Sequence, residues 1–563
     1  MKKMSNKSKG PSILSVDKLS IKFHTGNEDI VALNNVSFEL KPGETLAILG
    51  ESGSGKSVTA SAIMGILDSP PGYITEGVIN LNGQNILSIS DIERRKLMGQ
   101  KIAIIFQDTL SHLNPVLSVG NQIAECLKIH TNLSKSECWG RAVELMKRVK
   151  IPDHKTRANH FPHQFSGGQR QRVMIAMALA LQPSILLADE PTTALDVTVQ
   201  SQILDLLIEL KNEHNMALML ITHDLGVVAE IADKVIVMKN GEIVERGTIS
   251  KIFNKPTHEY TKHLLKSVPG IKTPENCSKH HDKKRKILKV RCLSKNYELK
   301  NGFFVFQNKI PIKAVDNVNF DLFEGETLGV VGESGSGKTT LAKMLLKLES
   351  PSTGSIKMLG EELSLLSGKK LFSYHRNVQA VFQDPFASLN PTMSVFEIIS
   401  EPWLIHRDFK NKNEFEKSVV SLLENVGLEK NSMNLFPHQF SGGQRQRIAI
   451  ARALALQPKI IICDEAVSAL DVSIQAQIIE LMKDLQKKMG LSYIFIAHDL
   501  PVINEFAHRT AVMKNGKIVE IGLTETIFSS PQNEYTQELL AASPMPDLSR
   551  MKSRRLRRKI DLV

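Results

Sequence analysis

Cysteine is scarce in this sequence: five residues in 563, at positions 126, 138, 277, 292 and 463, odd in number and never in a CxxC pair. That spacing excludes a disulfide framework and a paired-cysteine zinc site, and it suits a reduced, cytoplasmic chain. Long apolar runs are also missing. The longest, Val173 to Leu181, stops at Gln182-Pro183, well short of the roughly 20 residues a membrane-spanning helix needs. The opening MKKMSNKSKGPSILSVD has a basic head but no sustained apolar stretch, so it is not expected to act as a signal peptide. With 42% hydrophobic and 23% charged residues, wholesale disorder and collagen-like repeats are excluded as well. The length suits two to four domains.

The net charge of +12 suggests nucleic acid until its location is examined. Residues 1–10 contribute +4, residues 279–289 (KHHDKKRKILK) +5 and residues 550–559 (RMKSRRLRRK) +7. The remainder is therefore slightly acidic, about −4. The basicity sits in three short segments, not on a folded face, so no specific nucleic-acid partner is expected. For the C-terminal tail two readings stand side by side, attraction to anionic lipid and a solvated charge run.

What is present is a sequence that occurs twice. GETLAILGESGSGKSVTA begins at Gly43, and GETLGVVGESGSGKTTLA begins at Gly325. FPHQFSGGQRQR is identical at Phe161 and Phe436, and FQD recurs at Phe106 and Phe382. The copies are colinear, and a period this long means duplicated domains rather than a solenoid. We place a basic segment at 1–11, the first domain at 12–270, a polar lysine-rich linker at 271–287, the second domain at 288–548 and a basic tail at 549–563. Short continuous apolar runs such as Ile185–Ala188 and Leu218–Ile221 suit strands buried on both faces of a parallel sheet, and they alternate with helical stretches. The fold class is α/β.

Gly50, Glu51, Ser52, Gly53, Ser54, Gly55, Lys56 and Ser57 fit the GxxxxGK[ST] phosphate loop, and Gly332, Glu333, Ser334, Gly335, Ser336, Gly337, Lys338 and Thr339 fit it again. Glycines let backbone N–H groups wrap phosphate, the lysine neutralises it, and Ser57 or Thr339 would ligand Mg²⁺. One chance match is expected on the order of a few per cent of the time; two, each between an apolar strand and a helix, leave chance negligible. Asp189-Glu190 and Asp464-Glu465 end apolar runs in ILLADE and IICDE. Taken alone they are ordinary strand ends. Downstream of a phosphate loop, Asp189 and Asp464 suit Mg²⁺, and Glu190 and Glu465 suit the attacking water. Ser166, Gly167, Gly168 and Gln169 precede a run in which Val173, Ala176, Met177, Ala180 and Leu181 follow helical spacing. Ser166 reads as an N-cap, with glycines allowing close backbone approach. Ser441, Gly442, Gly443 and Gln444 repeat the arrangement. Each half then has two anion-binding helix starts, more than one nucleotide needs. Pairing each phosphate loop with the other half's SGGQ would resolve the excess.

In this order, twice, these motifs resemble the ATPase subunits of ABC transporters. The resemblance implies two P-loop NTPase domains, each a RecA-like α/β core plus a helical subdomain, in a head-to-tail sandwich. One site would combine Lys56, Ser57, Gln107, Asp189, Glu190 and His223 with Ser441 to Gln444. The other would combine Lys338, Thr339, Gln383, Asp464, Glu465 and His498 with Ser166 to Gln169. The glutamines would sense Mg²⁺ and water, the histidines would contact the γ-phosphate, and Asp196 and Asp471 would link the sites. Tyr297 matches the family's adenine-stacking aromatic; in the first half the choice is Phe23, with His24 adjacent.

Finer matches resemble the branch importing dipeptides, oligopeptides, nickel, glutathione and microcin-like peptides, here in fused form. FQDPFASLNP from Phe382 resembles that branch's extended glutamine loop, and PTHEYTKHLL from Pro256 and PQNEYTQELL from Pro531 resemble its tail element. The branch implies ATP and Mg²⁺, two transmembrane permease subunits gripped near 108–165 and 384–440, a solute-binding protein behind them, and a peripheral place on the cytoplasmic face of the inner membrane. The differing sequences of those two regions suggest that the permeases are non-identical. Thr109 and Ala466 stand where proline is usual, beside the catalytic groups. Some members carry an iron–sulphur cluster after the first core; with only Cys277 and Cys292 there, none is expected. The competing reading is a soluble translation-associated ABC ATPase. Against it stand the short linker and the importer-type tails.

Overall fold

The computed structural model describes residues 11–26, 28–193, 195–267, 285–298, 311–407, 412–468 and 470–544. The N-terminal basic residues 1–10, most of the linker, Cys277 and the basic tail lie outside these. The chain divides into two compact units, one made mainly of residues up to Lys266 and the other mainly of Ser267–Ser543.

In the first unit a six-stranded sheet runs in the order Glu242–Thr248, Lys234–Lys239, Thr45–Leu49, Ala217–Thr222, Ile185–Asp189, Ile102–Ile105. All neighbours are parallel except the first pair, an antiparallel hairpin. The central strands are buried throughout, and mostly apolar, because both faces are covered. Ile185 and Leu187 join one cluster with the phosphate-loop helix Lys56–Met64, while Leu186 and Ala188 point into a second with the helical region. A four-stranded antiparallel sheet, ordered Glu28–Leu40, Leu14–Thr25, Gly72–Leu81, Gln84–Asn85, closes the first cluster. The helical region consists of Val119–His130 and Lys135–Arg148, packed on helix Gly167–Ala178.

The second unit repeats the plan. Its sheet order is Val378–Val381, Ile460–Asp464, Ser492–Ile496, Thr327–Val331, Arg509–Lys514, Lys517–Leu523. Ile460 and Ile462 face one cluster, Ile461 and Cys463 the other. Its helical region is Val395–His406 and Lys412–Asn425 with Gly442–Leu454.

Two helices of the first unit end at defined caps. Lys56–Met64 stops at Gly65, whose φ of 69° makes a left-handed cap, leaving Ile66 and Leu67 outside. Helix Gly167–Ala178 is capped at Leu179, short of the helical spacing that included Ala180 and Leu181. Those two lie in the turn before Pro183, a residue that disfavours helix continuation.

Candidate functional site

Each phosphate loop is built by a buried strand that stops at a glycine. After Leu49 the chain turns through Gly53 (φ 76°) and Gly55 (φ 97°) into helix Lys56–Met64. A Cβ on Gly55 would lie 2.5 Å from Leu33 Cδ2 and 2.8 Å from the Ala32 carbonyl; only glycine fits both the angle and the space. Lys56 is 5% exposed and donates from Nζ to the carbonyls of Gly50 and Glu51, both at 2.8 Å. In the second unit Lys338 donates to Gly332 and Glu333 at the same distances. Burial lowers the Lys338 pKa, while Glu465 nearby opposes that shift.

The acid pairs sit at the ends of the neighbouring strands. Ser57 Oγ donates to Asp189 Oδ1 at 3.2 Å, and Thr339 Oγ1 to Asp464 Oδ1 at 3.4 Å. Burial pushes both aspartates above the usual carboxylate range. A hydroxyl and a buried carboxylate side by side are hard oxygen donors, and a divalent cation would repay the desolvation of the charged form. The residues therefore fit Mg²⁺, with Ser57 and Asp189 at one site and Thr339 and Asp464 at the other. Among the described residues no group of three or more His, Cys, Asp or Glu side chains forms a closed metal cage, and Cys292 is an exposed free thiol.

The glutamates turn the chain. Glu190 has φ 46° and Glu465 φ 51°, a left-handed backbone that aims each carboxylate out of its strand. Gln107 Nε2 donates to Glu190 Oε2 at 2.8 Å, and His223 Nδ1 lies 2.9 Å from Glu190 Oε1. Gln383 donates to Glu465 at 2.8 Å, and His498 Nδ1 lies 3.6 Å from it. Burial raises Glu190's proton affinity, but the His223 hydrogen bond and charge outweigh it and hold the carboxyl low. Glu465 is held low chiefly by the neighbouring His498, whose own pKa that carboxylate raises against burial. Glutamine, glutamate and histidine thus form one constellation in each half.

Ser166 and Ser441 are N-caps, each accepting the N–H of the glutamine three residues on at 3.4 Å. Gln169 and Gln444 return the bond to the serine N–H at 3.3 and 3.0 Å, completing capping boxes. The second glycine of each SGGQ answers to packing: a Cβ on Gly168 would run into Val199 Cγ1, and one on Gly443 into Ile474 Cγ2. Gly167 and Gly442 meet only ordinary contacts.

Phe23 and Tyr297 occupy the same register. Leu14 pairs with Leu40 and Phe23 with Ile30; Leu288 pairs with Leu322 and Tyr297 with Ile312. His24 instead lies 3.0 Å from Asp29 Oδ1. Sequence reasoning missed several supports. Thr193 Oγ1 donates to Glu190 Oε2 at 2.9 Å, and Arg157 donates to Gln169 at 2.8 Å. In the second unit the Arg445 guanidinium lies 3.5 Å from the Phe386 ring centre, and Arg452 donates to the Ser388 carbonyl at 2.9 Å. The only available signal was where the two copies differ, as at Met177 against Arg452.

Two phosphate-loop cores, each with a capped SGGQ helix and a glutamine–glutamate–histidine constellation, define an ABC-type ATPase. The family model and the curated relatives agree. The ABC transporter family matches residues 33–193 and 315–468, more than half of the chain. The chain belongs to this family. The oligopeptide/dipeptide transporter C-terminal region matches residues 244–291 and 519–560. The glutathione import ATP-binding protein GsiA of Salmonella typhimurium is 46% identical over 97% of this chain and 91% of its own length. Its counterpart from Escherichia coli K12 is 45% identical over 98% and 92%. A dimeric structure of a bacterial ABC transporter cassette covers 42% of this chain and 98% of its own at 35% identity, with a TM-score of 0.38. The protein is an ATP-hydrolysing ABC subunit coupled to peptide import, not a translation-associated ATPase.

Proposed function

We propose that the two halves build two composite ATP sites, each uniting one phosphate loop with the opposite half's SGGQ, and that hydrolysis there drives uptake of a short peptide of the glutathione class. The observation that carries the hydrolytic reading is the constellation of Gln107, Glu190 and His223, repeated as Gln383, Glu465 and His498. Lys56 and Lys338 neutralise the β- and γ-phosphate oxygens of bound ATP. Ser57 and Asp189, or Thr339 and Asp464, would hold Mg²⁺, which would supply further neutralisation of phosphate charge. Glu190 and Glu465 orient and deprotonate the attacking water, Gln107 and Gln383 hold it in line, and His223 and His498 contact the γ-phosphate. Phe23 and Tyr297 stack on adenine. Ser166 to Gln169 and Ser441 to Gln444 close over the phosphate from the other side.

The resemblance of both tails to the oligopeptide/dipeptide transporter region and the identity to a glutathione importer's ATPase support the partners. These are two permease subunits and, through them, a solute-binding protein. Among the described residues no helix is long and apolar enough to cross a membrane; transport then requires permeases to hold the chain at the cytoplasmic face. The cofactors of this reading are ATP and Mg²⁺ with no iron–sulphur cluster, and its domains are 12–270 and 288–548.

The composite arrangement is tested by crossing the halves. With Glu465→Gln silencing one site, adding Ser441→Arg should abolish the remaining turnover, because the cation would fill the γ-phosphate space beside Lys56. Adding Ser166→Arg should leave it. The reverse pattern would mean that each SGGQ serves its own half.

A further inference from the structure

The tail element after each core has no part in the reaction described so far, yet in both units it ends on the phosphate loop. Tyr260, in helix Glu259–Lys266, is 8% exposed, and its hydroxyl accepts the Glu51 backbone N–H at 3.3 Å. Tyr535, in helix Glu534–Ala542, is 5% exposed and accepts the Glu333 N–H at 3.2 Å. Lysines fix both rings from the adjoining strand ends: Lys239 Nζ lies 4.8 Å from the Tyr260 ring centre and Lys514 Nζ 4.3 Å from that of Tyr535. Behind each tyrosine a glutamate pins the start of the element. Glu245 accepts Thr257 N at 2.8 Å and His258 N at 3.1 Å; Glu520 accepts Gln532 N at 2.9 Å and Asn533 N at 3.1 Å.

The bonded N–H is half of a peptide plane. The other half is the Gly50 carbonyl, which holds Lys56 Nζ at 2.8 Å; in the second unit it is the Gly332 carbonyl, which holds Lys338 Nζ at 2.8 Å. A peptide is planar, with N–H and C=O on opposite sides. A tyrosine on one side and a lysine on the other therefore constrain one rotation. Burial pushes the Tyr535 hydroxyl up to about 12, so it remains an O–H group at neutral pH.

We propose that Tyr260 and Tyr535 are positioning residues that set the Gly50–Glu51 and Gly332–Glu333 peptide planes, and through them the reach of Lys56 and Lys338 toward phosphate. The tail element then tunes nucleotide affinity from behind the loop. This rests on the reading that both loops bind ATP. The same pairing recurs in both units although four of the element's other nine residues differ, PTHEYTKHLL against PQNEYTQELL.

The test is Tyr260→Phe and Tyr535→Phe, singly and together, in the full chain. Each change removes one oxygen and keeps the ring beneath its lysine. The measurements are the Kd for MgATP, the kcat and KM of hydrolysis, and Tm. Each single variant should weaken one of two MgATP equivalents by about fivefold, the worth of one neutral hydrogen bond. In the double variant KM should rise by a similar factor, with kcat and Tm little changed. An unchanged Kd, with or without a fall in Tm, would overturn the proposal, since a merely structural tyrosine lowers Tm alone. A wild-type chain that bound no MgATP would overturn the phosphate-loop reading along with it.

Discussion

Around Glu190 three side chains converge: Gln107, His223 and Thr193, all within 2.9 Å. Around Glu465 the glutamine is as close, but His498 stands off at 3.6 Å. Ser468, in the place of Thr193, turns its hydroxyl to the main-chain oxygen of Glu465 at 2.9 Å. The helical regions differ in the opposite sense. In the second unit Arg452 ties the SGGQ helix to the segment after the glutamine loop; the first has Met177 there, which cannot donate. Duplication has thus kept the reacting groups and let their supports diverge. The first unit holds its glutamate more firmly, the second its glutamine loop. A carboxylate with fewer fixed partners turns more readily toward water, so the two sites should contribute unequally to turnover.

The largest effects come from removing the bases. Glu190→Gln and Glu465→Gln together should lower ATP hydrolysis by about 10²–10⁴-fold, the range for losing a general base, while ATP binding persists. The single variants sharpen the comparison. Glu465→Gln should cost more of the steady-state rate than Glu190→Gln, as measured by phosphate release at saturating MgATP. Equal losses would show that the different supports do not matter.

Next in size is a change that should strike both halves alike. Gly168→Ala and Gly443→Ala each force a methyl group into a branched side chain, Val199 or Ile474. Overpacking of this kind costs about 1–3 kcal/mol, read as a lower Tm for either variant. Should one be tolerated, the equivalence of the two SGGQ helices fails.

Most of this site was legible in the sequence because its chemistry is local. A phosphate loop needs its glycines, lysine and hydroxyl within eight residues, and a capping box needs its serine and glutamine three apart. The strands were legible because two buried faces leave no alternation. Sequence did not reveal what depends on approach in space. The second glycine of SGGQ answers to Val199 and Ile474, thirty-one residues on in both units. Thr193 and Arg157 are ordinary polar residues until folding brings them to Glu190 and Gln169. The tail motif was visible as a repeat, but its bond to the loop spans 209 residues in the first unit and 202 in the second, and no spacing rule reaches so far.

The smallest expected effect concerns the glutamates that pin the tails, and it is a matter of pH. Burial would raise Glu245, yet its hydrogen bonds, among them those from Thr257 and His258, bring it down to about 2. Glu520 is lowered too, against burial, by the Gln532 and Asn533 amides among others. A carboxyl held low in the folded state favours folding above its unfolded pKa, and that contribution fades as pH falls toward the folded value. For Glu245 the window runs from about 4.5 down to about 2. The full shift would correspond to about 3 kcal/mol. Because a glutamine here could still accept part of these bonds through its amide oxygen, the loss should be on the order of 1 kcal/mol. Glu245→Gln should therefore melt earlier than wild type at pH 7, with the gap narrowing as pH drops below about 4. Glu520→Gln should show the same trend with a smaller gap, since its carboxyl is only half-buried. A gap that stays constant from pH 7 to pH 3 would mean that packing, not ionisation, holds the tail in place.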